Sequence, residues 1–188
     1  MYNDAINGDQ IAREEFTRLV DRYKIKSIVE TGTYHGVTTE FLASLSTLVH
    51  SVELDQRYLD IARQRVGNNE IVKLHFGNSP DVLNFILPDM PQPAMFFLDA
   101  HWGGYCPLLD ELNTMANNRI VNPVIAIHDF MVPGTTLGYD SYQGKPFSLE
   151  YVSSSLLPLY PRGCHFHYND DTAEGARRGI LYVTPKEQ

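Results

Sequence analysis

Two polar clusters interrupt the most apolar parts of this sequence. Asp99 and His101 follow Phe96-Phe97-Leu98, and His128 and Asp129 follow Ala126-Ile127. Carboxylates and imidazoles at the ends of neighbouring buried runs supply a divalent-metal site from Asp99, His128 and Asp129, or an acid-base cluster in which Asp99, His101 and His128 are the catalytic candidates. Histidine titrates near neutrality, so either imidazole would serve as a general base without a large shift.

A second set of residues has the character of a ligand cradle. The stretch Glu30-Thr31-Gly32-Thr33-Tyr34-His35-Gly36 leads into a helical segment at Val37, and its two glycines permit a tight turn and close helix packing. It is not the dinucleotide fingerprint, because Glu30 and Tyr34 stand where glycines would admit a diphosphate to bare backbone. Glu53 follows about 20 residues later, where such folds place an acid on ribose hydroxyls. Gly77-Asn78-Ser79-Pro80-Asp81 then offers amide and hydroxyl groups ahead of a helix that Ser79 is expected to cap, leaving Asn78 to face an adenine edge.

These residues need a scaffold that gathers them. Apolar runs at Ser27 to Glu30, Leu48 to Glu53, Ile71 to Phe76, Ala94 to Asp99 and Pro123 to His128 scarcely alternate, and each is separated from the next by a helical segment. That pattern predicts an α/β fold: a doubly wound, Rossmann-like, mostly parallel sheet, whose ligands bind beyond the carboxyl ends of the strands. Residues 9 to 23 read as an amphipathic opening helix, within an opening segment 1–24, and Ser148 to Leu157 as a short helix. Cys164 to Tyr168 and Gly179 to Thr184 read as a C-terminal antiparallel hairpin. The Gly- and Tyr-containing loop 130–146 follows the fifth strand and is expected to act as a lid or acceptor-binding wall. His50 and His75, inside strand runs, and His165 and His167, alternating on the hairpin, are read as structural.

With 188 residues the expectation is one domain, 1–188. Fifteen Lys and Arg against 23 Asp and Glu give a net charge of −8, which disfavours nucleic-acid binding. No apolar stretch approaches a membrane span. Two cysteines make no disulfide framework, and the first residues lack a secretory pattern, so a cytoplasmic location is expected.

The separated motifs IVETGTYHG (28–36), VELDQRY (52–58), FFLDAHW (96–102) and IHDF (127–130) together resemble class I S-adenosylmethionine-dependent methyltransferases. Within that class they are similar to small-molecule O-methyltransferases of the catechol type and of the macrocin and cephalosporin-tailoring group. The resemblance spans roughly residues 25–130. It implies that Glu30, Gly32, Tyr34 and Gly36 hold the methionine part of S-adenosylmethionine and that Glu53 binds its ribose. It implies further that Asp99 sits beside the reactive sulfonium and, with His128 and Asp129, ligates a divalent cation such as magnesium. Asn78 and Ser79 join the cofactor set. The chain departs from catechol-type enzymes in carrying His128-Asp129 where they have Asp-Asn, and His101, Trp102 and Gly103 where they have a lysine base. The expected reaction is methyl transfer to a small-molecule hydroxyl, aromatic or sugar, near Trp102, Tyr105, Phe130, Tyr139 and Tyr142. The competing readings are an NAD(P)-dependent oxidoreductase, a metal-dependent hydrolase and a non-catalytic nucleoside-binding protein. The oxidoreductase reading is weakened because Tyr142 and Lys145 are one residue too close for a Tyr-x-x-x-Lys pair. Oligomeric state is left open.

Overall fold

The computed structural model describes residues 4–101 and 104–186. Five parallel strands alternate with helices: β1 (Ser27–Thr31), α2 (Val37–Leu45), β2 (Val49–Glu53), α3 (Gln56–Val66), β3 (Val72–Phe76), α4 (Ser79–Ile86), β4 (Ala94–Leu98), α5 (Leu108–Asn117) and β5 (Val124–Ile127). Helix α1 (Gln10–Tyr23) precedes them, and α6 (Leu149–Leu156), β8 (Cys164–Tyr168) and β9 (Leu181–Pro185) follow. The sheet order is β3-β2-β1-β4-β5-β9-β8, with β9 antiparallel to both neighbours, as the expected hairpin requires. Strand order reverses between β1 and β4, which opens a crevice beyond their carboxyl ends. Inside the loop 130–146 a two-residue ladder pairs β6 (Ser141–Tyr142) with β7 (Lys145–Pro146), an element the sequence reading passes over.

Period-2 alternation along the strands divides the core into two layers. Met95 and Phe97 of β4 join Ile28, Val49 and Ala126 under α1 and α2, whereas Phe96 and Leu98 join Val29, Ile125 and Ile127 under α4, α5 and α6. Asp9 caps α1 by accepting from the Ala12 amide at 3.0 Å, and Phe16 meets Phe97 edge-on at 5.2 Å. Truncating a fully buried ring of this kind costs about 3–5 kcal/mol. Among the described residues no helix is long and apolar enough to cross a membrane, and Cys106 and Cys164 are unpaired.

Candidate active site

A cavity of about 1030 Å³ lies at the carboxyl ends of the parallel strands. It is lined by Leu54, Asp55, Gln56, Tyr58, Gly77 and Asn78 together with Asp99, Tyr105, Asp129, Asp140 and Arg178. Gly32, Thr33, Tyr34, Glu53 and Ser79 also line it. The volume is at the upper end for a cofactor or small-molecule site.

The β1 turn is held by its neighbours on both sides. Gly32 and Thr33 donate backbone bonds to Val52 at 2.9 and 3.2 Å. Gly32 has φ +87°, and a Cβ there would lie 2.6 Å from the Asp99 carbonyl oxygen, so a side chain would force β1 and β4 apart at the crevice. Glu53 is buried at the cavity wall, each carboxylate oxygen accepting a backbone amide, Tyr34 at 2.7 Å and Asp55 at 2.8 Å. One lone pair per oxygen is left for an incoming hydroxyl donor. The Tyr34 ring stacks on His35, with centroids 3.8 Å apart. Asn78 lines the cavity as the residue preceding α4.

Glu30 and Gly36 lie outside the cavity, and Ser79 lines it without capping the helix as expected. Alternation along β1 turns Glu30 away from the crevice and under α2, where it faces Ser51 across the strand pair and accepts from Ser51 at 2.5 Å and from Thr39. Burial pushes its carboxyl up to about 8 against those hydrogen bonds. Gly36 opens α2 at φ +75°, and its missing Cβ leaves room for Ala62 of α3, so it serves helix packing and does not line the cavity. Ser79 does not cap α4. It is the first helical residue, and its hydroxyl donates to Glu111 of α5, which is buried and pushed up to about 7 by that burial. Phe130 belongs to the core, Tyr139 and Tyr142 do not line the cavity, and Trp102 lies outside the described residues.

The acid-imidazole cluster does assemble. His128 Nδ1 lies 3.1 Å from Asp99 Oδ1 and 3.4 Å from Asp129 Oδ1, while His101 Nε2 meets Asp129 Oδ2 at 2.8 Å. Burial alone would lower both imidazoles. The charges of Asp99 and Asp129 outweigh it, raising His101 and taking His128 up to about 10. Asp129, which burial would raise, is held well below the carboxylate range by His101, His128 and Arg178. Both imidazoles are raised by their carboxylate neighbours and neither lines the cavity, which differs from the expectation of a histidine base that needs no large shift.

Arg178, Asp140 and Glu111 were missed by the sequence reading. Arg178 bonds Asp129 and Asp140 at once and so ties the 130–146 loop to the end of β5. Backbone bonds from Asp140 to Asp129 at 2.9 Å and from Gly179 to Gly138 at 2.9 Å fasten the same loop. It forms a hydrogen-bonded wall, to which it contributes Asp140. The one available signal was the only adjacent basic pair in the chain, Arg177-Arg178. The N-terminal segment supplies another wall through Asp4 and Asn7. There the Ile6 amide donates to Thr38 Oγ1 at 3.0 Å and Asn7 accepts from Ala176 at 3.1 Å.

The donor sets allow both expected groups. Glu53 with open lone pairs, beside a turn that Gly32 keeps close, fits a ribose-bearing cofactor. Asp99, His128 and Asp129 present ligand atoms within 4.8 Å of one another, and His128 Nδ1 is buried without a hydrogen-bond partner, which fits a cation at that point.

No family profile matches the sequence, and no curated protein matches it. Solved structures do match the fold. An O-methyltransferase from Bacillus cereus, in complex with S-adenosylhomocysteine, superposes with a TM-score of 0.68 at 19% identity, covering 94% of this chain and 81% of the other. TomG of Streptomyces achromogenes, an O-methyltransferase involved in tomaymycin synthesis and solved with S-adenosylmethionine, gives 0.63 at 16%, with coverages of 93% and 79%. CalS10 of Micromonospora echinaspora, an amino pentose methyltransferase involved in calicheamicin biosynthesis and solved with S-adenosylmethionine bound, gives 0.61 at 14%, with 93% and 90%. The chain therefore has the Rossmann-like fold of the class I methyltransferases.

Proposed function

We propose that this chain is an S-adenosylmethionine-dependent methyltransferase acting on a hydroxyl of a small molecule. The observation that carries the reading is one cavity lined by Glu53, Asn78 and Asp99 together, on a fold shared with methyltransferases. The cofactor supplies an activated methyl group on a sulfonium. Glu53 accepts the ribose hydroxyls at its open lone pairs, Asn78 faces the adenine, and the Gly32–Tyr34 turn borders the methionine part. Glu30 and Gly36 act from behind, one by holding α2 on β1 and β2, the other by packing α2 on α3.

At the acceptor end Asp99 favours the cationic sulfonium and orients the acceptor hydroxyl for in-line displacement, taking its proton at a carboxylate oxygen. A divalent cation held by Asp99, His128 and Asp129 would make that hydroxyl more acidic. His101 and Arg178 hold Asp129 in place, and the 130–146 wall with the N-terminal segment excludes water. The charge of −8 argues for a small-molecule acceptor over nucleic acid.

The reading is tested by a thermal-shift panel of S-adenosylhomocysteine, S-adenosylmethionine, NAD and NADP, followed by transfer of labelled methyl to catechols and sugars. Stabilisation by the adenosyl compounds alone and label in a hydroxyl acceptor are expected. Stabilisation by a nicotinamide dinucleotide alone would replace methyl transfer with hydride transfer.

A further inference from the structure

Asp129 belongs to two constellations, and they differ in what is left open. In His101, Asp129 and Asp140 every group has a partner. His101 Nε2 hydrogen-bonds Asp129 Oδ2 at 2.8 Å, and Arg178 bonds Asp129 and Asp140 together. A guanidinium does not give up its proton, so this constellation already holds its cation. In Asp99, His128 and Asp129 the central nitrogen is unsatisfied. His128 Nδ1 has carboxylate oxygens at 3.1 and 3.4 Å, yet it is buried and hydrogen-bonds neither. A ring nitrogen and two carboxylate oxygens grouped around a point without bonding one another have the arrangement of ligands to a common ion.

The donor set then decides which ion. Magnesium takes hard oxygen ligands at close to ideal octahedral geometry, whereas an imidazole nitrogen beside two carboxylates suits manganese, iron, cobalt or zinc. Resting on the methyltransferase reading above, we infer that the chain holds a single nitrogen-ligated transition ion at Asp99, His128 and Asp129, in preference to magnesium, while Arg178 closes the neighbouring constellation to a second ion. His128 is thus a selectivity-determining ligand. Arg178, whose Nε bonds the same Asp129 oxygen Oδ1 that faces His128 while His101 takes Oδ2, fixes the orientation of the carboxylate it shares with the site.

The test uses the full chain stripped of metal. Equilibrium dialysis with elemental analysis measures Mn²⁺ and Mg²⁺ binding, pulsed electron paramagnetic resonance of the Mn²⁺ form reads directly bound nitrogen, and calorimetry measures S-adenosylhomocysteine separately. The expected result is one Mn²⁺ per chain with a nitrogen signal. In His128→Asp that signal is lost and the Mn²⁺ over Mg²⁺ preference falls by about tenfold or more, whereas His101→Ala keeps the signal. A native Mn²⁺ form without bound nitrogen overturns the inference even if His128→Asp fails to fold, as does Mg²⁺ binding equal to Mn²⁺, or two ions per chain. Binding of S-adenosylhomocysteine without any metal binding overturns the inference and leaves the methyltransferase reading intact. Nitrogen-ligated Mn²⁺ without S-adenosylhomocysteine binding does the reverse.

Discussion

Gly32 and Gly36 flank the same turn, and replacing each with alanine separates a residue that shapes the cavity from one that packs a helix. In Gly32→Ala the new methyl lies 2.6 Å from the Asp99 carbonyl oxygen and 2.9 Å from its carbonyl carbon, with φ at +87°. Ordinary contact begins at 3.4 Å, so the Asp99 backbone must recede by about 0.8 Å. A left-handed conformation costs an alanine about 1–2 kcal/mol, and overpacking against backbone adds about 1–3 kcal/mol. The displacement falls on Asp99, and a misplacement near 1 Å costs about 10²-fold in rate. Gly36→Ala, at φ +75°, meets Ala62 Cβ at 3.0 Å, on the side of α3 and outside the cavity. It pays the same backbone cost, about 1–2 kcal/mol, with a smaller packing term. Urea unfolding gives the stabilities, and calorimetric titration with S-adenosylhomocysteine, at a temperature where both variants are folded, gives the affinities. Both variants are expected to lose stability, and only Gly32→Ala to lose affinity. Equal loss of affinity in Gly36→Ala, or unchanged affinity in Gly32→Ala, would refute the division.

Further outcomes follow from the same geometry. The folded Glu30 carboxyl titrates near 8, above its ordinary value of 4.5, so its contribution to stability is complete below pH 4.5 and is lost as pH rises through 8. Glu30→Gln is therefore expected to flatten the fall in unfolding free energy between pH 5 and pH 8, and an unchanged slope would remove Glu30 as its source. Glu53→Ala should weaken S-adenosylhomocysteine by about 1–3 kcal/mol, read by calorimetry, and full affinity would take Glu53 out of the ribose site. Arg178→Met leaves Asp129 and Asp140 without their shared cation. With Arg178 27% exposed, the discounted cost is about 1–3 kcal/mol, and limited proteolysis should cut first within 130–146. Cleavage at the native rate would show that other bonds suffice to hold the wall.

The fold was legible because the strands are buried on both faces and betray themselves as apolar runs, and because turn glycines and strand-end acids sit in sequence where the fold uses them. Asp99, Glu53 and Gly32 were readable for that reason. Glu30 was misread because its place depends on which face of β1 it takes, and the Ile28/Val29 alternation that fixes this becomes visible only once α2 and Ser51 lie across from it. Ser79 was misread because Glu111, from a helix far along the chain, takes its hydroxyl. Arg178 escaped notice because its partners Asp129 and Asp140 are 49 and 38 residues away, a pairing made only by the closure of β9 onto β5. His167 was read as structural without a carboxylate nearby, and α1 provides one in Glu15, at 2.6 Å.

The central claim is that this cavity holds an adenosyl-sulfur cofactor whose ribose rests on Glu53. Calorimetric titration of the native chain and of Glu53→Ala with S-adenosylhomocysteine, with NAD as the comparison ligand, tests it most directly. One site per chain for S-adenosylhomocysteine, weakened in the variant, with no heat from NAD, is the predicted result. Binding of NAD alone, or S-adenosylhomocysteine binding indifferent to Glu53, would contradict it.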